Sequence, residues 1–147
     1  MSVPEPLESV VSQFASAPPS LRLALLIEYA GRLPEVPSEV AADEERFERV
    51  EECQSPLFLA SEVRADVVSI WFDAPLEAPI TRGFASVLYH GLDGRTAQEV
   101  LAVPPAVTDR LRLVGLVSPL RLRGMGAMLQ RLQRQVRVAA VESTIHD

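Results

Sequence analysis

The sequence contains no lysine: its 14 basic residues are all arginine, and 20 acidic residues leave a net charge of −6. The absence of lysine excludes Schiff-base chemistry, a P-loop lysine and a lysine general base. The acidic balance also argues against nucleic acid as the main partner, because phosphate binding depends on neutralisation by basic side chains.

Long apolar runs are missing as well. No run approaches the roughly 18 residues of a membrane-spanning helix, and residues 1–5 lack the positive region and apolar stretch of a secretory signal. We therefore expect a soluble, cytoplasmic protein with no membrane partner. At 147 residues the chain fits one domain, which we place at residues 1–140, followed by a C-terminal tail at residues 141–147.

Cys53 is the only cysteine, which excludes an intrachain disulfide and a cysteine metal cluster built from one chain. The two histidines, His90 and His146, do not have the ligand spacing of a zinc site, so we expect no metal. A Cys-His catalytic pair could use only His90. The chemistry left to this chain is that of one isolated thiol.

Helices are predicted at both ends of the chain. An apolar stripe at i, i+3, i+4 and i+7 from Leu7 to Phe14 predicts a first helix, and residues 21–33 predict a buried second one capped by Ser20. Four further helices are predicted: at residues 80–92, after a capping box at 96–99, at 104–116, and from Ser118-Pro119 onward.

Strands are predicted in the middle of the chain, at residues 47–50, 57–63 and 67–72. Residues 64–66 between the last two are short enough for a hairpin loop. The order of helices, strands and helices predicts an α+β fold of two layers, with a small three-stranded antiparallel sheet packed against helices.

Cys53 falls at the tip of the connection between the first two strands, directly after Glu51 and Glu52. Carboxylates beside a thiol raise its pKa, so the free thiol is expected to have a normal or raised pKa. Such a thiol suits a reaction in which a partner supplies both the electrophile and the activating charge. The alternative is that Cys53 only packs as a small buried hydrophobe.

The acidic segment, residues 35–52, has eight carboxylates and two arginines. Such runs usually form a solvated surface, and the alternative is a docking surface for a basic partner.

Several motifs together resemble the SufE family of sulfur acceptors. Residues 52–59, Glu-Cys-Gln-Ser-Pro-Leu-Phe-Leu, resemble its cysteine loop and the strand that follows. Four further segments occur in the family's order, so that the resemblance extends from about Phe14 to Val138: residues 29–34, 80–83, 94–101 and 116–125.

The resemblance implies that Cys53 accepts a persulfide sulfur from a cysteine desulfurase of the SufS type, stimulates that enzyme and delivers the sulfur to iron-sulfur cluster assembly. It implies an α+β fold similar to the iron-sulfur scaffold proteins, with a SufBCD-like scaffold as recipient. No cofactor belongs to this chain, because pyridoxal phosphate belongs to the desulfurase. The cysteine loop is expected to pack inward in the free protein and to swing out on docking.

The resemblance also assigns roles to other residues. Arg121 is expected to steady the loop or the persulfide, against the alternative of a solvated helix arginine, and Gln54 and Ser55 are expected to support the loop. The residues expected to bind the partner are Glu51, Glu52, Glu77 and Arg82. Glu52 departs from the family, which has glycine there, so a turn that needs positive φ at this position would be strained.

Three other functions compete with this hypothesis. A non-catalytic interaction module would bind a desulfurase or related partner through the acidic segment, with Cys53 structural. An independent thiol enzyme is disfavoured by the absence of a Cys-His pair and by the two glutamates beside the thiol. RNA binding by the arginine-rich last helix lacks an aromatic platform and conflicts with the net charge.

Overall fold

A computed structural model describes residues 3–146, and the side chains as far as Glu142. Its sheet contains three antiparallel strands in the order β1 (Glu48–Arg49), β2 (Phe58–Arg64) and β3 (Val67–Asp73). Val68, Ile70 and Phe72 alternate along β3 and are buried, which is the period-2 pattern of a strand with one covered face. The predicted three-stranded antiparallel sheet is confirmed.

The hairpin between β2 and β3 turns on two residues. Arg64 pairs with Val67, and Ala65 and Asp66 between them have φ values of 51° and 68°. Positive φ at both central residues is the geometry of a type I′ turn, whose twist matches that of the flanking strands. This turn fixes the register that places Leu59 opposite Phe72 in the core.

Two helices, α1 (Glu5–Ser16) and α2 (Pro19–Ala30), precede the sheet. Both begin with a proline as cap residue, and the prediction that Ser20 caps α2 is wrong. The cap is Pro18, which makes no side-chain cap hydrogen bond, and Pro19 occupies the first turn. Proline suits this position because its ring fixes φ near the helical value and the amide it lacks would have no helical partner.

The acidic segment contains two short elements that the sequence did not predict: α3 (Ser38–Ala41) and a 3₁₀ turn at Glu44–Arg46. Val40 is buried and anchors this segment to the body of the protein, while Glu39, Glu44 and Glu45 stay exposed. Elements of three or four residues are too short to show a hydrophobic period.

After the sheet come α4 (Pro79–Leu92) and α5 (Ala97–Leu101). Gly83 lets α4 pack closely on α2, since a Cβ there would lie 2.6 Å from the carbonyl oxygen of Leu26. The predicted capping box at the start of α5 is confirmed: the Glu99 amide donates to Thr96 Oγ1 and the Thr96 amide donates to the Glu99 carboxylate, both at 3.1 Å.

The helix predicted over residues 104–116 is instead a 3₁₀ helix at Pro105–Leu111. It ends early because Arg112 has a left-handed conformation, with φ of 56°. A residue with positive φ cannot continue a right-handed helix.

The last helix, α6 (Pro119–His146), is the longest element, and its N-terminal turn is capped by Ser118 Oγ, which accepts from the Arg121 amide at 3.3 Å. It packs across β2 and also contacts α4 and α5. Its buried side chains continue the core of the sheet: Met125, Ala127, Met128, Leu129, Leu132 and Val136. This arrangement is the predicted two-layer α+β fold. In the part of the chain that the structure describes, no helix is long and apolar enough to cross a membrane.

Candidate functional site

The cysteine loop, residues 51–56, leaves the sheet between β1 and β2 and is closed at its base by backbone hydrogen bonds. The Val50 amide donates to the Leu57 carbonyl at 2.9 Å, and the Cys53 amide donates to the Val50 carbonyl at 3.1 Å. These bonds fix where the loop begins and ends. The residues between them are held mainly by what they contact on α6.

Cys53 points inward and is only 8% exposed. Its Sγ lies 3.8 Å from the carbonyl oxygen of Gly124 on α6. A Cβ on residue 124 would lie 3.2 Å from Sγ and 3.4 Å from the Cα of Cys53, closer than is usual for such contacts. Glycine at position 124 therefore provides the space in which the thiol sits, and the loop is packed inward as the resemblance implied.

Burial dominates the acidity of this thiol. Desolvation and, to a smaller extent, the negative charge of Glu52 raise the pKa of Cys53 to about 11, against the opposing positive charge of Arg131. The expectation of a normal or raised pKa agrees with this. At neutral pH the free protein carries a protonated thiol, which is a poor nucleophile.

Arg131 connects the cysteine loop to α6. Its Nε and Nη2 lie 3.0 and 2.9 Å from Glu52 Oε1, its Nη1 pairs with the Glu48 carboxylate, and Nη1 also donates to the Arg49 carbonyl at 3.3 Å. One guanidinium on α6 therefore binds both the loop and the strand that leads into it.

Arg131 was not predicted from the sequence as a site residue. It is one of several arginines in a helix segment without acids, and 79 residues separate it from Glu52. The signal that could have indicated it is the departure at Glu52, because a carboxylate on the loop attracts a basic side chain on the element that faces it.

Arg121 was expected to steady the loop. Its side chain is partly exposed and makes no hydrogen bond or ion pair with any residue that the structure describes, and the cation that acts on the pKa of Cys53 is Arg131. The role of Arg121 stays a prediction.

The remaining loop residues predicted for the site are open to solvent. Glu51 and Gln54 are exposed and Ser55 is half-buried, and none of their side chains forms a hydrogen bond within residues 3–142. The departure from glycine at Glu52 causes no backbone strain, since the non-glycine residues with positive φ are Ala65, Asp66 and Arg112.

Glu77 lies next to the loop in space, and Arg82 contacts the wall of the same groove. Glu77 is exposed and, with Ser55 on the loop, lines an open groove of about 370 Å³. Arg82 supports the same wall, because its Nη1 donates to the Ala74 carbonyl at 2.7 Å. The structure thus brings Glu77 and Ser55 together at one groove, with Arg82 behind it.

His90 takes no part in this site. Its Nε2 lies 3.2 Å from the Arg32 carbonyl, and its ring packs against Tyr29 and Tyr89. The described side chains contain no group of three or more histidine, cysteine or carboxylate residues arranged to hold a metal ion. His146, the other histidine considered for a ligand pair, lies outside the residues whose side chains are described. His90 therefore does not form a catalytic pair with Cys53.

Comparison with known proteins gives a consistent result. Residues 8–136 match the family model of SufE, an Fe-S metabolism associated domain. An uncharacterised SufE-like protein of Mycobacterium tuberculosis, strain H37Rv, is 50% identical over 139 residues, which cover 94% of this chain and 96% of that protein. The chloroplastic/mitochondrial SufE-like protein 1 of Arabidopsis thaliana is 28% identical over 137 residues, which cover 90% of this chain and 35% of that protein.

Solved structures agree as well. The solution structure of a hypothetical protein from Thermus thermophilus superposes with a TM-score of 0.83 at 41% sequence identity, covering 95% of this chain and 98% of that one. The similarity therefore includes the whole arrangement of sheet and helices that positions the cysteine loop.

Proposed function

This chain belongs to the SufE family, an Fe-S metabolism associated domain, and from this premise we propose that it accepts sulfur as a persulfide on Cys53. The observation that carries the proposal is the placement of the chain's one cysteine: it lies on a loop, yet its thiol is buried against Gly124. A loop can move outward to reach a partner. When it returns, the buried position against α6 can protect a persulfide on Cys53 from solvent.

The chemistry is thiol exchange. The Cys53 thiolate attacks the terminal sulfur of a cysteine persulfide on the donor. A new sulfur-sulfur bond forms at Cys53 Sγ, the bond between the terminal sulfur and the donor cysteine breaks, and the donor cysteine leaves as a thiolate. The proton lost from Cys53 balances the one that this thiolate takes up, so the step needs no oxidant or reductant.

The raised pKa of Cys53 restricts this step to the complex. In the free protein, burial and the charge of Glu52 hold the thiol in its protonated form. Movement of the loop away from α6 relieves this desolvation, and a cation of the partner then favours the thiolate. The acceptor therefore reacts slowly with other electrophiles until it docks.

The donor that fits this chemistry is a cysteine desulfurase of the SufS type, which brings its own pyridoxal phosphate. The recipient we propose is an iron-sulfur scaffold such as a SufBCD-like assembly, in the cytoplasm. Glu51 lies on the cysteine loop, Glu77 lines its groove and Arg82 binds the Ala74 carbonyl in the wall of that groove, and all three are proposed to contact the partner.

Desulfurase stimulation tests the proposal against the interaction-module alternative. We expect the wild-type chain to increase the turnover of its organism's desulfurase on cysteine, and Cys53→Ser to return turnover to that of the desulfurase alone. Stimulation that survives Cys53→Ser would favour the interaction module, in which Cys53 only packs.

A further inference from the structure

Arg131 is held in place by contacts that do not involve the cysteine loop. It pairs with Glu48 on β1, and Glu48 is itself bound by Arg134 and by Gln135, whose Nε2 donates to Glu48 Oε1 at 3.0 Å. Burial opposes ionisation of Glu48, but hydrogen bonds from Gln135, Arg134 and Arg131 hold its pKa below the usual range, so Glu48 stays charged. The guanidinium of Arg131 is therefore fixed whether the loop is in or out.

Glu52 differs from Glu48 in having one partner. Its side chain is 41% exposed, and Arg131 is the single cation that binds its carboxylate among the described residues. Glu52 is also the residue immediately before Cys53. An outward movement of the loop therefore breaks the pair between Glu52 and Arg131 and leaves the pair between Glu48 and Arg131 intact.

We propose that Arg131 is a positioning residue that latches the cysteine loop through Glu52 and so sets how often Cys53 becomes accessible. The pair adds an ionic contact to the contact between Cys53 Sγ and the Gly124 carbonyl. The latch itself is a property of the free protein, and its consequence for sulfur transfer rests on the proposed function above.

The ion pair between Glu52 and Arg131 is expected to be weak. A partly exposed ion pair contributes modestly, so its loss changes an opening equilibrium by about two- to fivefold. Together with the burial of Cys53 against Gly124, an ion pair of that strength favours the closed loop and still yields to a partner that offers Glu52 another cation. Arg131 then remains beside Glu48, ready to recapture the loop.

Alkylation of Cys53 by iodoacetamide in the intact free protein tests the latch, because two effects of Arg131 have opposite signs. Removal of its charge raises the pKa of Cys53, so electrostatics alone predicts that Arg131→Gln slows alkylation. The latch predicts that Arg131→Gln speeds alkylation by about two- to fivefold, since the loop opens more often.

Matched variants separate the latch from general charge effects. Arg134→Gln removes a neighbouring positive charge that contacts Glu48 but not Glu52, and Glu51→Gln neutralises the adjacent acid of the loop. We expect Arg134→Gln to leave the alkylation rate within error, Glu51→Gln to change it less than Glu52→Gln does, and Arg131→Lys to restore much of the wild-type rate. An Arg131→Gln rate equal to or below the wild-type rate would overturn the proposal.

Amide hydrogen exchange provides a second measurement, which does not depend on the fraction of Cys53 that is ionised. Glu52→Gln and Arg131→Gln are each expected to speed amide exchange at residues 51–55 and not in β2. The double variant is expected to exchange no faster than the quicker single one. Faster exchange in β2 as well would show general unfolding, and unchanged exchange at residues 51–55 would show that the pair does not hold the loop; either result refutes the latch. Both measurements omit the desulfurase, so they are independent of whether Cys53 accepts sulfur.

Discussion

At the scale of single residues, the environment of Cys53 explains why its thiol reacts slowly in the free protein. Its thiol is buried, lies against the Gly124 carbonyl and is preceded by the Glu52 carboxylate. Each of these favours the neutral thiol over the thiolate. With a pKa of about 11, roughly one molecule in a thousand carries a Cys53 thiolate at pH 8, against about one in four for an unperturbed thiol.

This environment predicts the pH dependence of alkylation. Because the pKa is raised, the alkylation rate of the free wild-type chain should stay low through pH 9 and rise toward a midpoint near pH 11. The measurement is the rate of iodoacetamide addition to Cys53 against pH by intact mass, with Cys53→Ser as the background. A midpoint at or below pH 8.5 would mean that the loop is open in the free protein.

At the scale of elements, the site is the contact between the cysteine loop and α6. The loop supplies Cys53 and Glu52, and α6 supplies Gly124 and Arg131, which are seven residues and so about two turns apart on one helix. A rigid helix therefore presents both a space for the thiol and a charge for the loop.

Gly124→Ala tests whether the Cys53 thiol needs the space that glycine leaves at position 124. Gly126→Ala is its matched control. A Cβ at residue 126 meets no atom within 4 Å, whereas one at residue 124 meets Cys53 Sγ at 3.2 Å. Both changes gain up to about 1 kcal/mol of helix propensity. We expect Gly126→Ala to raise the free energy of urea unfolding by about that amount, and Gly124→Ala to lose most or all of this gain and to speed alkylation of Cys53 severalfold.

The same alkylation rate and the same unfolding free energy in the two variants would contradict this account of residue 124. Both quantities are measured on the free protein, so the comparison does not depend on a partner.

The elements that could be predicted from the sequence are those with a local signal. The strands at 58–64 and 67–73 have β-branched and aromatic residues, and α5 begins with a capping box that four consecutive residues define. The pairing of Glu52 with Arg131 could not be predicted in this way, because it depends on how α6 crosses the sheet. The 3₁₀ helix at 105–111 was predicted to be longer because its left-handed end at Arg112 has no glycine to indicate it.

At the scale of the whole molecule, the fold packs the cysteine loop against α6 and leaves most of the acidic segment exposed. Of its carboxylates, Glu48 and Glu52 are bound to α6, while Glu39, Glu44, Glu45 and Glu51 are exposed. With a net charge of −6, this surface is suited to a partner with a positive face. Charge complementarity of this kind mainly speeds encounter.

The central claim is that Cys53 carries sulfur, and the direct test is intact-mass spectrometry after incubation with the organism's own cysteine desulfurase, pyridoxal phosphate and cysteine. The account predicts that the wild-type chain gains the mass of one or more sulfur atoms, that a reductant removes it, and that Cys53→Ser gains none. No gain on the wild-type chain in the presence of an active desulfurase would contradict it.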